Sequence, residues 1–92
     1  MEESITLNVP YDLSVAQWAK VLTVYRAMDG WIEDASSWFG PPGGERYIGA
    51  SSEPSGLVIT GNVDPLLFRG WVTKLCAKLT AALGREVHDA GC

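Results

Sequence analysis

Three groups of residues in this 92-residue sequence carry side chains capable of chemistry: Cys76 with His88, the adjacent carboxylates Glu33 and Asp34, and the glycines of residues 40–44. A thiol nucleophile needs an accessible, electropositive setting. Cys76 instead shares a helical stripe with Phe68, Trp71, Val72, Leu75 and Leu79, which places it in the core. His88 stands alone between Val87 and Asp89, and one histidine gives a metal no repeated ligand spacing. Glu33 and Asp34 lack the Gly-centred ligand loop that a hard cation requires, so they are expected on a solvated face. Gly40-Pro41-Pro42-Gly43-Gly44 has no Lys-Ser/Thr end and opens no helix, which makes it a turn-rich connector and not a phosphate cradle. The expectation is therefore a protein that is not an enzyme, with no cofactor and no metal site.

The same connector holds the more telling residues. Between Gly30 and residue 46 lie two of the four tryptophans, Trp31 and Trp38, together with Phe39, Glu33, Asp34 and Glu45. This is far longer than an ordinary helix-to-strand link. One reading makes the aromatics a lid over the exposed end of a small core. The other makes Trp31, Glu33, Asp34, Trp38, Phe39 and Glu45 a partner-binding platform, because tryptophan anchors ringed by charge are typical of interface hot spots. The two readings are compatible.

The elements that must position these residues follow from hydrophobic period. Residues 4–9 alternate with period two, and residues 15–28 follow the helical period behind a Ser14/Gln17 capping box. Val15, Trp18, Leu22 and Tyr25 give one helical series, and Val21, Val24 and Met28 broaden it into a wide apolar arc. Trp31, Ala35 and Trp38 then fall at i, i+4 and i+7, which predicts a short extra helix. Strands are predicted at 46–51 and 57–63, joined by the turn Glu53-Pro54-Ser55-Gly56. Asp64-Pro65 opens a second helix over 65–83 as N-cap and first helical residue, Gly84 stops it, and residues 85–90 form a closing strand. That βαββαβ order predicts an α+β, ferredoxin-like sandwich: a four-stranded antiparallel sheet, two long helices on one face, and a short helical insertion after the first. The predicted core contains Trp18, Leu22, Tyr25, Phe68, Trp71, Leu75 and Leu79.

Size and charge bound the function. One domain over residues 1–92 is expected, and a chain this short buries only roughly 60–68% of its unfolded surface. Seven basic and 11 acidic side chains give a formal charge of −4, which disfavours nucleic acid and anionic membrane. Nine acidic and three basic side chains lie in residues 1–64, with Asp29, Glu33, Asp34 and Glu45 grouped around the connector, so a partner with a basic surface is expected. RNA binding through the sheet would want stacked aromatics, and Tyr47 is the only one available on the predicted strands. Cys76 and Cys92 do not form a disulfide framework, so a reducing, cytoplasmic setting is expected, and neither a cleaved signal nor a membrane span is read. If Leu57 and Ile59 faced away from the helices, a homodimer through the open sheet face would follow; if Val58 and Thr60 did, a monomer binding through the connector would.

The runs Ala50-Ser51-Ser52-Glu53-Pro54-Ser55-Gly56-Leu57, Phe68-Arg69-Gly70-Trp71 and Ala82-Leu83-Gly84-Arg85-Glu86-Val87 resemble small bacterial immunity proteins of polymorphic or contact-delivered toxin systems. The resemblance covers residues 47–90, and its motifs are mostly structural. It implies a role: a cytosolic, stoichiometric inhibitor that occludes a cognate toxin. No contact residue transfers with it. Two other classes stand beside this one. A small-ligand regulatory domain acting as a dimer would want a glycine-bearing loop between the first strand and first helix, where Pro10-Tyr11-Asp12 stands. An enzyme would want an acid/base pair that the sequence does not show.

Overall fold

The computed structural model describes residues 2–90. The chain is α+β, with a five-stranded antiparallel sheet and two helices. In chain order the elements are β1 (Glu3–Leu7), α1 (Val15–Ala27), β2 (Trp31–Ile32), β3 (Ser37–Trp38), β4 (Tyr47–Glu53), β5 (Gly56–Asn62) and α2 (Pro65–Leu83). The sheet order is β1-β5-β4-β3-β2. β1 and β4 both run antiparallel to β5, so they are parallel to each other with β5 between them.

Local sequence sets the ends of both helices. Ser14 and Gln17 form the reciprocal capping box: Gln17 donates its backbone N–H to Ser14 Oγ at 3.2 Å, and Ser14 N–H donates to Gln17 Oε1 at 3.2 Å. Asp64 Oδ2 accepts from the N–H groups of Leu66 and Leu67 at 3.0 and 3.2 Å, with Pro65 in the first turn where it forfeits no helical bond. Gly84, at φ 70°, adopts the left-handed cap and donates its N–H to Thr80 O.

The register assigns the sheet faces. Ile5 opposes Ile59 and Leu7 opposes Leu57, with Ala50 and Ile48 on the same side. These residues join Val21, Val24, Tyr25, Met28, Phe68, Trp71, Leu75 and Leu79 in one buried apolar cluster. The helices pack against each other, so both lie on this face. The other face carries Ser4, Thr6, Ser51, Val58, Thr60, Asn62 and Tyr47. Leu57 and Ile59 thus point inward, and Val58 and Thr60 are the pair that faces away from the helices.

Three expectations are corrected. Residues 31–38 form a β-hairpin and not a short helix; its two strands, with the expected closing strand reduced to a bridge, take the count from four to five. Trp31 and Trp38 are directly opposed across that hairpin, where a seven-residue spacing brings two rings together as surely as two turns of helix do. Positive φ at Ser36 (50°) and Phe39 (69°) is incompatible with a continuous helix. The closing strand over 85–90 shrinks to one bridge, Leu7 with Asp89, flanked by Asn8 N–H to His88 O at 3.1 Å and Ala90 N–H to Thr6 O at 2.8 Å. Only Val87 of this polar segment enters the core. Finally, α1 is rotated relative to the expected phase: Val21, Val24, Tyr25 and Met28 are buried, whereas Val15 is 89% and Leu22 42% exposed. An arc this broadly apolar leaves the phase to whichever side meets α2 and the hairpin. Cys76 is half-buried at the edge of its stripe, and Cys92 lies outside the described residues. No helix among the described residues is long and apolar enough to cross a membrane.

Candidate partner-binding cleft

The β2–β3 hairpin is held by an aromatic stack. Trp38, with no exposed surface, lies edge-on to Tyr25 (ring centroids 5.0 Å apart) and to Trp71 (4.7 Å), and tilts against Trp31 at 5.3 Å. Such pairs add to the value of the buried area itself. Each of these three indole N–H groups has a partner. Trp38 Nε1 donates to Tyr25 O at 2.9 Å, Trp71 Nε1 to Asp29 O at 3.0 Å, and Trp31 Nε1 to Glu33 Oε1 at 3.0 Å. Burial pushes the Tyr25 phenol far above its ordinary range, so it stays protonated.

Phe39 leaves the hairpin in a left-handed conformation and returns its N–H to Gly30 O at 2.8 Å. Its ring then lies on Gly30, where any Cβ would stand 2.7 Å from ring carbons; with φ at 87°, this position requires glycine on two counts. The Arg46 guanidinium sits 5.3 Å from the Phe39 ring centroid. Between Phe39 and the first turns of α2 runs an open cleft of about 430 Å³, lined by Asp29, Phe39, Leu66, Leu67, Gly70, Trp71 and Lys74. Leu66 stands at its lip, 77% exposed. Lys74 Nζ lies 3.6 Å from Asp29 Oδ2 across the rim.

The structure divides the expected site residues. Trp31 and Phe39 are half-buried and keep one edge at the surface, Glu33 and Asp34 form the exposed hairpin turn, and Glu45 is exposed beside Arg46. Trp38 is the exception: wholly buried, it has no surface to offer a partner and belongs to the lid reading. The carboxylates are also less free than their number implied. Glu33 pairs with Arg26 at 3.2 Å, and the Trp31 indole followed by the Arg26 hydrogen bond lowers its pKa; Asp29 faces Lys74. Asp34 and Glu45 keep unpaired charge among the described residues.

Reasoning from sequence missed Leu66, Leu67, Gly70 and Lys74 as neighbours of Phe39, and took Trp71 for core alone. Two signals were present. Leu66 is a large apolar residue off the stripe of its own helix, and Gly70 sits in a helix interior with no turn to make. Elsewhere, the His88 ring nitrogens meet Asn8 Nδ2 at 3.3 Å and Asp89 O at 2.9 Å. Burial, and then the Asp89 carboxylate, pushes the Cys76 thiol up, the opposite of what a thiolate nucleophile needs.

Comparison with protein-family models, with characterised proteins and with solved structures finds no match to this chain.

Proposed function

We propose that this chain is a non-catalytic protein-binding module, an immunity-type inhibitor acting in the cytoplasm, that occludes a toxin or other partner presenting a basic surface. The observation that carries the reading is the exposed Leu66 at the lip of an apolar cleft whose walls are the aromatic Phe39 and Trp71. An apolar anchor site with a polar, charged rim is the usual anatomy of an interface centre. Exposed Glu33 and Asp34 on the adjoining hairpin turn and the −4 net charge favour a cationic partner and would mainly accelerate its approach. The frame is read as ferredoxin-like: β1-β5-β4 has the split βαβ arrangement, residues 88–90 occupy the place of the last strand, and the hairpin extends the opposite edge.

The test is calorimetry between this protein and the product of the gene encoded beside its own. A one-to-one complex is expected, weakened by roughly 2–4 kcal/mol when a true anchor such as Trp31 or Leu66 is cut to alanine. A neighbouring product that binds neither wild type nor variants would remove the inhibitor reading.

A further inference from the structure

Resting on that protein-binding reading, we propose that the cleft is an anchor pocket for a single large aromatic side chain from a partner segment in which that residue is flanked by lysine or arginine. The size fits: about 430 Å³ lies in the lower part of the roughly 300–1,000 Å³ range of ligand clefts. The lining fits as well. Phe39 and the edge of Trp71 offer aromatic walls, Leu66 and Leu67 apolar ones, and a Cβ built on Gly70 meets nothing within 4 Å, so the helix itself leaves the space open. Aromatic rings prefer such edge and face contacts.

The charge pattern selects the flanking residues. The cleft follows α2 from Leu66 to Lys74, a rise of about 12 Å. A carboxylate stands near each end of this stretch of α2, Asp29 in the wall of the cleft and Asp64 just outside it as the helix N-cap. Asp64 is fixed at the first end by the amides of Leu66 and Leu67 themselves, at 3.0 and 3.2 Å. Asp29 stands at the other, held only by Lys74 at 3.6 Å, with side chains 74% and 56% exposed respectively. A pair this open contributes little and exchanges readily, so an incoming cation can take Asp29 Oδ2 while Lys74 swings into water. The nearby Arg46 is already engaged on the Phe39 ring. Cations at both ends of the guest, with an aromatic ring between them, complement this arrangement.

The experiment uses the whole chain, ¹⁵N-labelled, titrated at low ionic strength with acetyl-Lys-Trp-Lys-amide, acetyl-Glu-Trp-Glu-amide and acetyl-Lys-Gly-Lys-amide. The first should shift the amides of Leu66, Leu67, Gly70 and Lys74 and the Trp71 indole N–H, and bind at least about threefold tighter than the second. The third should leave those signals in place. Gly70→Leu fills the cleft and replaces a mid-helix glycine with a better helix former, so it should melt no lower than wild type and lose the response. Asp29→Asn should keep the response to tryptophan and shrink the preference for lysine over glutamate. The proposal is overturned by shifts confined to residues 33–36 or to the outer sheet face, by equal or tighter binding of the glutamate peptide, or by Gly70→Leu binding like wild type. Silence to all three peptides also overturns the pocket, while leaving the protein-binding reading to calorimetry with the partner. A responding pocket in a chain that forms no complex with its neighbour's product would keep the pocket and retire the inhibitor.

Discussion

Trp38→Ala should behave as a core mutation and leave no binding-specific signature. The side chain has no exposed surface and touches three aromatic rings, and its indole N–H is bound to Tyr25 O. A tryptophan carries roughly 150–250 Å² of surface, which at about 25 cal/mol per Å² amounts to about 4–6 kcal/mol. That is an upper figure, because unfolded chains are already partly collapsed. Measured truncations of buried aromatics, about 3–5 kcal/mol, bring it down. The lost hydrogen bond adds only about 1 kcal/mol, since Tyr25 O keeps the Met28 N–H at 3.2 Å. A loss of about 4–5 kcal/mol stands against a total of about 5–15 for a domain of this size. At about 4–8 °C per kcal/mol, the melting temperature should fall by about 16–40 °C. Trp38→Phe, keeping most of the ring area, should cost about 1–2 kcal/mol by the same reasoning. Far-UV circular dichroism in urea is the assay, because fluorescence would lose its own reporter. A loss below about 1 kcal/mol for Trp38→Ala would refute the placement of this ring and restore it to the surface platform.

Gly30→Ala combines a left-handed φ with a Cβ 2.7 Å from the Phe39 ring, so it should cost about 1–3 kcal/mol, whereas Gly43→Ala, equally left-handed but in open space, should cost about 1; equal melting curves for the two would contradict the Phe39 contact. Glu33 has its pKa lowered from an ordinary 4.5, so its contribution is present above that pH and is lost as pH falls through the folded value. Wild type and Glu33→Gln should accordingly differ in urea midpoint at pH 7 and converge once the pH has fallen below the lowered Glu33 value, and a gap that widens on acidification would reverse the sign argued here. Asn8 accepts from His88 N–H at 2.7 Å and donates to Glu86 O at 3.0 Å, so Asn8→Ala should cost about 1–2 kcal/mol and deprotect amides 86–90 in hydrogen exchange. Uniform protection in that variant would show that the backbone bridge alone holds the segment. Leu66→Ala, by contrast, should change stability by less than about 0.5 kcal/mol, because the side chain is 77% exposed.

The sequence by itself determined what neighbours within four residues decide. Ser14 with Gln17, Asp64 with Pro65, and Gly84 bounded the helices because caps are satisfied by adjacent backbone groups. The alternation through Ile5 and Leu7, and through Leu57 and Ile59, grouped residues by face because a pleated strand sends every second side chain the same way, while for Leu57 and Ile59 only the fold decided that their face is the inner one. The hairpin was decided only in three dimensions. A separation of seven places Trp31 and Trp38 together either on a helix or across two strands, and what selects the strands is the shelter of Tyr25 and Trp71, residues on two other elements. The rotation of α1 has the same origin: its apolar arc is wide enough to bury Leu22 or Val21, and the folded chain buries Val21. The final strand was legible as an extended segment but not as a mere bridge, since its length depends on how much of it finds an apolar surface, and only Val87 does. The cleft was beyond the sequence for the plainest reason. Phe39 and Leu66 become neighbours through the sheet that folds between them, and a cavity is a property of the surfaces that fail to meet, which no single segment contains.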